Sequence, residues 1–348
     1  MELSEHQLNF DSVFYEERAE RTLEIRNVGK TVAAFRFVPK LEEKQFCKPW
    51  MTIHPKFGML MPGETANVRV LCFIFFMSTQ TSHNQSQHTQ IHITAHVDYR
   101  TARNFATKRD RIEDILILRL ENGRDFFISI AGEYVPSSFG MLLEDLTDRP
   151  NPIRCVKKEE DVSKEEEDKN NTRLQIPKEL WRLCDLLFSN SLLTTKNLFI
   201  EGGLPTEMAN IRESLDTGVA FSACSPHSAV AVLFEFLHSL ATPILPPKLF
   251  SSEENDNVDS SRLATWCSDI LSAVKPLQYN VFVYLLLFFK EALSHADENN
   301  LRVDILIRIL TPRLAWNERE DLVDPKTVKR YRRQVAVFLK YLLTQDYF

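Results

Sequence analysis

Three histidines, His88, His92 and His96, follow one another at intervals of four residues. On a helix, this spacing would place three imidazoles on one face, where they could bind a metal ion such as zinc. The surrounding residues 93–97 (ITAHV) are typical of a strand, and Ile93 stands where a metalloprotease H-E-x-x-H motif needs a Glu. We therefore expect loop histidines in solvent and no metal site.

No other set of residues points to catalysis. The chain has nine glycines, whose only adjacent pair is Gly202-Gly203, so it lacks a glycine-rich phosphate loop, and it has no G-x-S-x-G turn for a nucleophilic serine. None of the six cysteines lies in an activating context, and no two form a C-x-x-C pair. The sequence predicts reduced thiols, no cofactor and no enzyme.

Charge and hydropathy exclude further classes of function. The 42 basic and 48 acidic residues leave a net charge of -6, which provides no excess of cations for a nucleic acid backbone. The N-terminus has neither the basic nor the apolar segment of a signal peptide, and the longest apolar run, residues 281–289, is too short to cross a membrane. We expect membrane contact only through partners.

The elements that would position functional residues fall into two classes. Apolar residues alternate with polar ones along residues 21–132, which predicts an all-β sandwich; residues 21–26 and 35–37 are interpreted as a hairpin. A second hairpin is predicted around Asn122-Gly123, with both residues at positive φ in a type I′ turn. The polar residues 78–105 are interpreted as a mobile loop, with an extra ribbon at residues 91–99 as the alternative.

A change of periodicity marks the second half. Residues 157–171 hold seven acidic and four basic residues but one apolar residue, which is typical of a linker. After it, apolar residues recur with a helical period, as in Leu180, Leu183, Cys184 and Leu187. The predicted organisation is a β-sandwich at residues 1–150, a charged linker at 151–172 and an all-helical domain at 173–348.

Several motifs resemble a known family. Residues 46–50 (FCKPW), 112–116 (IEDIL), 123–127 (GRDFF) and 132–140 (GEYVPSSFG) resemble the ASH domain of the type II inositol polyphosphate 5-phosphatases, the Lowe syndrome phosphatase and its paralogue. Residues 176–181 (IPKELW) and 215–218 (LDTG) resemble the RhoGAP-like domain that follows it. The resemblance implies an immunoglobulin-like sandwich followed by a RhoGAP-like helical bundle. It does not include the family's phosphatase domain, so it implies no phosphatase activity for this chain.

The resemblance also indicates that GTPase activation is lost. Ile200 stands where an active RhoGAP domain has its finger Arg, Phe234 where it has a supporting Lys, and Arg313 where it has an Asn. An isoleucine cannot stabilise the charge that develops on a transferring phosphoryl group. The alternative is a shifted alignment, in which Arg212 or Arg182 serves as the finger.

The resemblance further implies partners. Phe139 matches the family residue that contacts Rab GTPases, with packing between domains as its alternative role. Trp181 matches the residue that binds the Phe- and His-containing motifs of endocytic adaptors, and its alternative is a core position. Glu42 replaces a polar uncharged residue near the Rab surface.

Two functions follow from this resemblance. The first is a trafficking scaffold that binds Rab GTPases, Rac-type Rho-family GTPases and adaptor peptides, cytoplasmic and peripheral on endosomes and Golgi membranes. The second is an active GTPase-activating protein that uses an atypical Arg.

Overall fold

The computed structural model describes residues 1–63, 65–68, 91–154, 175–189, 191–250, 260–317 and 323–345. The chain divides into two compact units, Met1–Pro136 and Ser137–Phe348. The first unit is built from strands and the second from helices, as the change of periodicity predicts. No helix among the described residues is long and apolar enough to cross a membrane.

The first unit is a sandwich of two sheets. Its described strands are β1 (Glu2–Leu3), β2 (Gln7–Val13), β3 (Arg18–Arg26), β4 (Ala33–Val38), β5 (Met51–His54), β6 (Phe57–Leu60), β7 (Thr65–Val68), β8 (Ile91–His96), β9 (Glu113–Leu120) and β10 (Asp125–Tyr134). One sheet has the order β1-β3-β8-β5, with β7 also paired to β3, and the other has the order β2-β10-β9-β4-β6. Alternate residues of several strands, such as Leu23 and Ile25 of β3, are buried between the sheets.

The predicted hairpin between β3 and β4 is wrong, because these strands belong to opposite sheets. The connection is organised by Asn27, whose buried side-chain amide donates to the carbonyl oxygens of Thr31 (2.8 Å) and Leu60 (2.9 Å). The Asn27 Oδ1 atom also accepts a hydrogen bond from the Gly29 N–H (2.9 Å). These bonds satisfy the polar groups of a chain that crosses from one sheet to the other.

The second predicted hairpin, β9-β10, is present, but its turn is not of type I′. Asn122 has a positive φ of 57°, whereas Gly123 does not fall in the positive range. Gly123 is needed for space, since a Cβ atom there would lie 2.5 Å from Leu120 Cδ2. The turn therefore uses glycine for close approach rather than for a left-handed backbone.

The interpretation of residues 78–105 as a mobile loop is wrong for residues 91–105. Strand β8 lies between β3 and β5, with Ile91 and Ile93 fully buried. Helix α1 (Tyr99–Ala106) follows, and it begins with a capping box in which Asp98 Oδ1 accepts from Thr101 N–H (2.9 Å). The remaining residues, 78–90, lie outside the described residues.

Strand β8 determines how far apart the regularly spaced histidines His92 and His96 lie. His92 and His96 lie four residues apart on an extended strand, so their Cα atoms are about 13 Å apart, which is too far to share one metal ion. His96 Nε2 lies 3.1 Å from Glu16 Oε2. No cluster of three or more potential metal ligands occurs among the described residues, which do not include His88.

The second unit is helical. Its described helices are α2 (Leu143–Thr147), α3 (Lys178–Ser189), α4 (Pro205–Thr217), α5 (Pro226–Ser239), α6 (Ser260–Ala273), α7 (Pro276–Ser294), α8 (Ala296–Asn299), α9 (Val303–Leu314) and α10 (Pro325–Thr344). The apolar face predicted for α3 is buried at Leu180, Leu183, Cys184 and Leu187. The pattern of buried apolar positions thus places α3 against the core, as its helical period predicts.

The helical unit begins at Ser137, and hydrogen bonds join its first segment to α4. Asp216, at the end of α4, accepts hydrogen bonds on Oδ1 from the Ser138 N–H (2.8 Å) and the Ser138 hydroxyl (2.6 Å). Its Oδ2 accepts from Arg154 Nη2 (3.0 Å), which also donates to Glu213 Oε2 (2.7 Å). Residues 137–154 therefore belong to the helical unit. The predicted linker core, residues 157–171, lies outside the described residues.

Candidate functional site

One pocket of the helical unit brings together the three residues that the resemblance aligns with the catalytic residues of RhoGAP domains. Ile200, Phe234 and Arg313 line a pocket of about 540 Å³ together with His238 and Glu235. These residues come from the loop after α3, from α5 and from α9, so the pocket depends on the packing of distant elements. The three aligned positions, which are far apart in the sequence, therefore lie together in one pocket.

The loop that carries Ile200 is held in shape by asparagines. Asn197 has a positive φ of 56°, and its N–H donates to the Asn299 carbonyl oxygen (3.0 Å). The Asn300 amide donates to Asn197 Oδ1 (2.8 Å), and Asn197 Nδ2 donates to Glu201 Oε1 (2.8 Å). This network presents Ile200 at the pocket rim with 49% of its surface exposed. The exposed group is hydrocarbon, which offers a partner apolar contact and no hydrogen bond.

Phe234 forms the aromatic wall of the pocket. Its ring packs with Phe199 and Phe289, at centroid distances of 6.2 Å and 6.3 Å. The Arg313 guanidinium lies over Phe234, with Cζ 4.9 Å from the ring centroid, in a cation–π contact. Arg313 Nη1 also donates to the Ile309 carbonyl oxygen (2.6 Å), and burial lowers the pKa of Arg313 below its ordinary value. Arg313 therefore packs against Phe234, the aromatic wall of the same pocket.

The two alternative finger arginines are engaged elsewhere. Arg212 Nη1 pairs with Glu235 Oε2 at 3.1 Å, and both side chains are largely buried. Arg182 donates to the carbonyl oxygens of Ser214 (2.7 Å) and Val219 (2.5 Å), at the C-terminal end of α4. These contacts give each arginine a structural role in the folded chain, and neither lines the pocket.

Trp181 lies on a half-exposed apolar face. Its side chain projects from α3 beside the buried stripe and is 51% exposed. Phe188, seven residues further on the same side of α3, is exposed as well, and its ring packs edge-to-face on Phe288 of α7 at 5.2 Å. Leu287 of α7 is also exposed. We call Trp181, Phe188 and Leu287 the α3–α7 face.

Phe139 is not available to a partner in this structure. Its side chain has 0% exposure and packs edge-to-face on Phe236 of α5, with ring centroids 5.6 Å apart. The predicted Rab contact of Phe139 stays a prediction, and a partner could reach this side chain only if it left its buried position. The sequence motif identified an aromatic side chain but did not indicate that it fills the core of the helical unit.

The described cysteines do not provide a nucleophile. Cys47, Cys184, Cys224 and Cys267 are free thiols. Burial raises the pKa of Cys47 to about 11 and that of Cys184 and Cys267 to about 12, so these thiols stay protonated at neutral pH. Burial also raises the pKa of Cys224.

Comparison with known proteins agrees with this architecture. Residues 3–87 and 74–134 match the ASH domain of OCRL-like inositol polyphosphate 5-phosphatases, and residues 177–319 match the RhoGAP domain. The chain has an N-terminal ASH/PapD-like β-sandwich followed by a helical RhoGAP-like domain. The pocket and the α3–α7 face belong to the RhoGAP domain, and the sandwich is the ASH domain.

Individual relatives extend the comparison. The chain is 29% identical over 347 residues to the type II inositol 1,4,5-trisphosphate 5-phosphatase of Mus musculus, which covers 95% of this chain and 32% of that protein. The chain thus spans about a third of the length of this curated relative. Among solved structures, human Rho GTPase activating protein 15 is 14% identical with a TM-score of 0.45, covering 60% of this chain and 92% of the other. The ASH/PapD-like domain 7 of human CEP192 is 14% identical with a TM-score of 0.23, covering 39% and 85%.

Sequence reasoning missed part of the α3–α7 face. Phe188 follows Trp181 by seven residues, which on a helix places both aromatics on one side, so this spacing was a usable signal. Leu287 carried no such signal, because it lies in the predominantly apolar segment of α7. Its exposure results from the way α7 packs.

Proposed function

We propose that this chain is a trafficking scaffold whose RhoGAP domain binds Rac-type Rho-family GTPases without accelerating GTP hydrolysis. The observation that carries the proposal is the pocket in which Ile200, Phe234 and Arg313 meet. A GTPase-activating site needs a guanidinium that reaches the transferring phosphoryl group. Here the rim residue is an isoleucine, and Arg313 lies on Phe234.

The same pocket retains features of a binding surface. Its exposed rim and aromatic wall can bury an apolar side chain of a partner, and burial of apolar area favours association. His238, Glu235 and Arg313 add polar groups to the lining of the pocket. A domain with these properties holds a GTPase and leaves its nucleotide intact.

Substitution of the rim tests the binding site. Ile200→Asp is expected to raise the Kd for a Rac-type GTPase by about tenfold or more, because a charge replaces an apolar contact residue. The measurement is a calorimetric titration with the GTPase loaded with a non-hydrolysable GTP analogue. Val219→Asp, at another exposed apolar position that does not line the pocket, is the matched control and should bind as the parent does. Equal affinity of all three proteins would contradict the proposed site.

The α3–α7 face supports a second binding function, the capture of adaptor peptides with Phe and His anchors. A half-exposed indole on the same side of α3 as the exposed Phe188 is a surface on which an amphipathic peptide helix can lie. Because Trp181 is only partly packed, a peptide can bury the rest of its ring. Large aromatic anchors of this kind dominate peptide interfaces.

Trp181→Ala is expected to weaken binding of such peptides by about 2 kcal/mol or more, close to a 30-fold rise in Kd. The free energy of unfolding should fall by much less than the roughly 3 to 5 kcal/mol of a fully buried Trp, because half of the ring is exposed. Peptide titration and thermal unfolding measure the two effects. Leu204→Ala, which removes an exposed apolar side chain elsewhere in the RhoGAP domain, should change neither. A large loss of stability in Trp181→Ala would make Trp181 a core residue.

We also propose that the ASH domain binds Rab GTPases and that the chain acts on endosomes and Golgi membranes. With Phe139 buried, the candidate contact is the edge strand β6, where Phe57 is 74% and Met59 is 73% exposed. An edge strand offers backbone N–H and C=O groups to a partner strand. The double variant Phe57→Ser/Met59→Ser should lose binding in a titration against a panel of Rab GTPases, and unchanged binding would place the contact elsewhere.

A further inference from the structure

Helix α10 has a charge that contrasts with the rest of the chain. Its sequence, PKTVKRYRRQVAVFLKYLLT, contains six basic residues and no acidic one, although the whole chain has a net charge of -6. Five of the basic residues are exposed: Lys326, Lys329, Arg330, Arg333 and Lys340. We call this set the α10 basic stripe.

The helical period places the stripe on one side. At 100° per residue, the five positions fall within an arc of about 100°, and they extend along about 21 Å of the helix. Tyr331, Val335, Phe338 and Leu342 lie on the opposite side, where they are buried in the helical unit. The packing of this apolar face fixes the orientation of the stripe. Val337, which is exposed, lies within the stripe.

Acidic residues adjoin the stripe at its two ends. Asp304 of α9 pairs with Lys340 at its C-terminal end, at 3.3 Å, with both side chains exposed. Arg308 lies one turn after Asp304 on the same side of α9 and is exposed, so it adds a positive charge there. Asp324, the N-cap of α10, adjoins the other end of the helix, and Glu318, Glu320 and Asp321 precede it in the sequence.

We propose that the α10 basic stripe binds the surface of an anionic lipid bilayer. A row of four to eight Lys and Arg residues on one helix face is the pattern that anionic headgroups attract, and the long side chains reach the headgroups while their methylene groups lie on the helix. A single stranded nucleic acid would need exposed aromatic rings for stacking, which the stripe lacks. An acidic peptide would need a groove, whereas the stripe lies on the outer face of one helix. The stripe adds direct membrane contact to a chain whose sequence predicts contact only through partners.

Vesicle sedimentation tests the proposal without any GTPase or adaptor peptide, so its outcome does not depend on the proposed scaffold function. The full chain should sediment with vesicles of phosphatidylcholine containing 30% phosphatidylserine and remain in solution with pure phosphatidylcholine. Raising NaCl from 0.05 M to 0.5 M should release it, because salt screens surface charge. The variant Lys326→Gln/Lys329→Gln/Arg330→Gln/Arg333→Gln should lower the partition coefficient at least about tenfold.

A matched variant distinguishes an effect of the α10 basic stripe on vesicle binding from an effect of the net charge of the chain. Arg26→Gln/Lys30→Gln/Lys44→Gln/Lys108→Gln removes four exposed cations of the ASH domain and should partition as the parent does. If both variants lose binding equally, or if the parent does not bind phosphatidylserine vesicles, the proposal is overturned. Binding of the parent to heparin or an acidic peptide but not to vesicles would overturn it in favour of another polyanion. The double variants Lys326→Gln/Lys329→Gln and Arg330→Gln/Arg333→Gln should each weaken vesicle binding, by less than the fourfold variant does. If either double variant is folded and binds vesicles as the parent does, the proposal is also overturned.

Discussion

In single-turnover experiments, the chain is expected to leave GTP hydrolysis by a Rac-type GTPase at its intrinsic rate. The finger Arg of an active domain contributes a factor of roughly 10³ to 10⁵. Ile200 has no group that can donate to the transferring phosphoryl oxygen atoms, and Arg313 is held on Phe234 at 4.9 Å. The measurement is phosphate release at a fixed concentration of loaded GTPase and increasing chain.

Restoring the catalytic residues should restore activity only in combination. Ile200→Arg alone is expected to have little effect, because Phe234 and Arg313 still occupy the supporting positions. The triple variant Ile200→Arg/Phe234→Lys/Arg313→Asn should accelerate hydrolysis by at least about 100-fold, or about 2.7 kcal/mol of activation free energy. The control is the same triple with Ile200→Lys, which has the same charge but lacks the planar guanidinium fork. Thermal unfolding shows whether Phe234→Lys, within an aromatic cluster, remains folded.

A parent chain that accelerates hydrolysis 100-fold or more would contradict the proposed loss of activity. In that case Arg212→Ala and Arg182→Ala identify the group responsible. Since Arg212 pairs with Glu235 and Arg182 caps α4, both substitutions should lower stability in any case. A fall in the rate of GTP hydrolysis that exceeds the fall in the fraction of folded protein would identify the substituted residue as the finger Arg.

Phe139→Ala should lower the free energy of unfolding of the helical unit by about 3 to 5 kcal/mol. The side chain is fully buried against Phe236, so its removal leaves a cavity in the core. For a unit of this size, the loss corresponds to a fall in Tm of about 6 to 20 °C. Differential scanning calorimetry of the full chain measures this change, with Trp181→Ala as the half-exposed aromatic control.

Hydrogen exchange shows which segments lose stability in Phe139→Ala. Increased exchange in α5 and in residues 137–147 with unchanged exchange in β9 and β10 is the expected pattern, because these segments unfold as local units. Unchanged Tm in Phe139→Ala would show that the side chain is not a core residue. That outcome would return Phe139 to the candidates for a direct partner contact.

Particular residues show what sequence patterns can and cannot determine. The alternation in residues 113–120 and 125–134 predicted β9 and β10, because one face of each strand is buried. The same argument failed for β3 and β4, since alternation reports burial and not the sheet to which a strand belongs. The polar residues before residues 91–96 are typical of a loop, whereas β8 is a central strand between β3 and β5 with Ile91 and Ile93 buried.

The features of the candidate site also fall into those that the sequence determines and those that only the tertiary structure determines. The sequence by itself determined the order of the two domains and the residue types at the positions that the resemblance aligns with RhoGAP catalytic residues, because periodicity and residue type are local properties. Only the tertiary structure decided that Ile200, Phe234 and Arg313 share one pocket, that Phe139 is buried and that Trp181 is half exposed. It also decided that the cations of α10 face outward together. Exposure and proximity depend on which distant elements pack around a residue, and no local pattern contains that information.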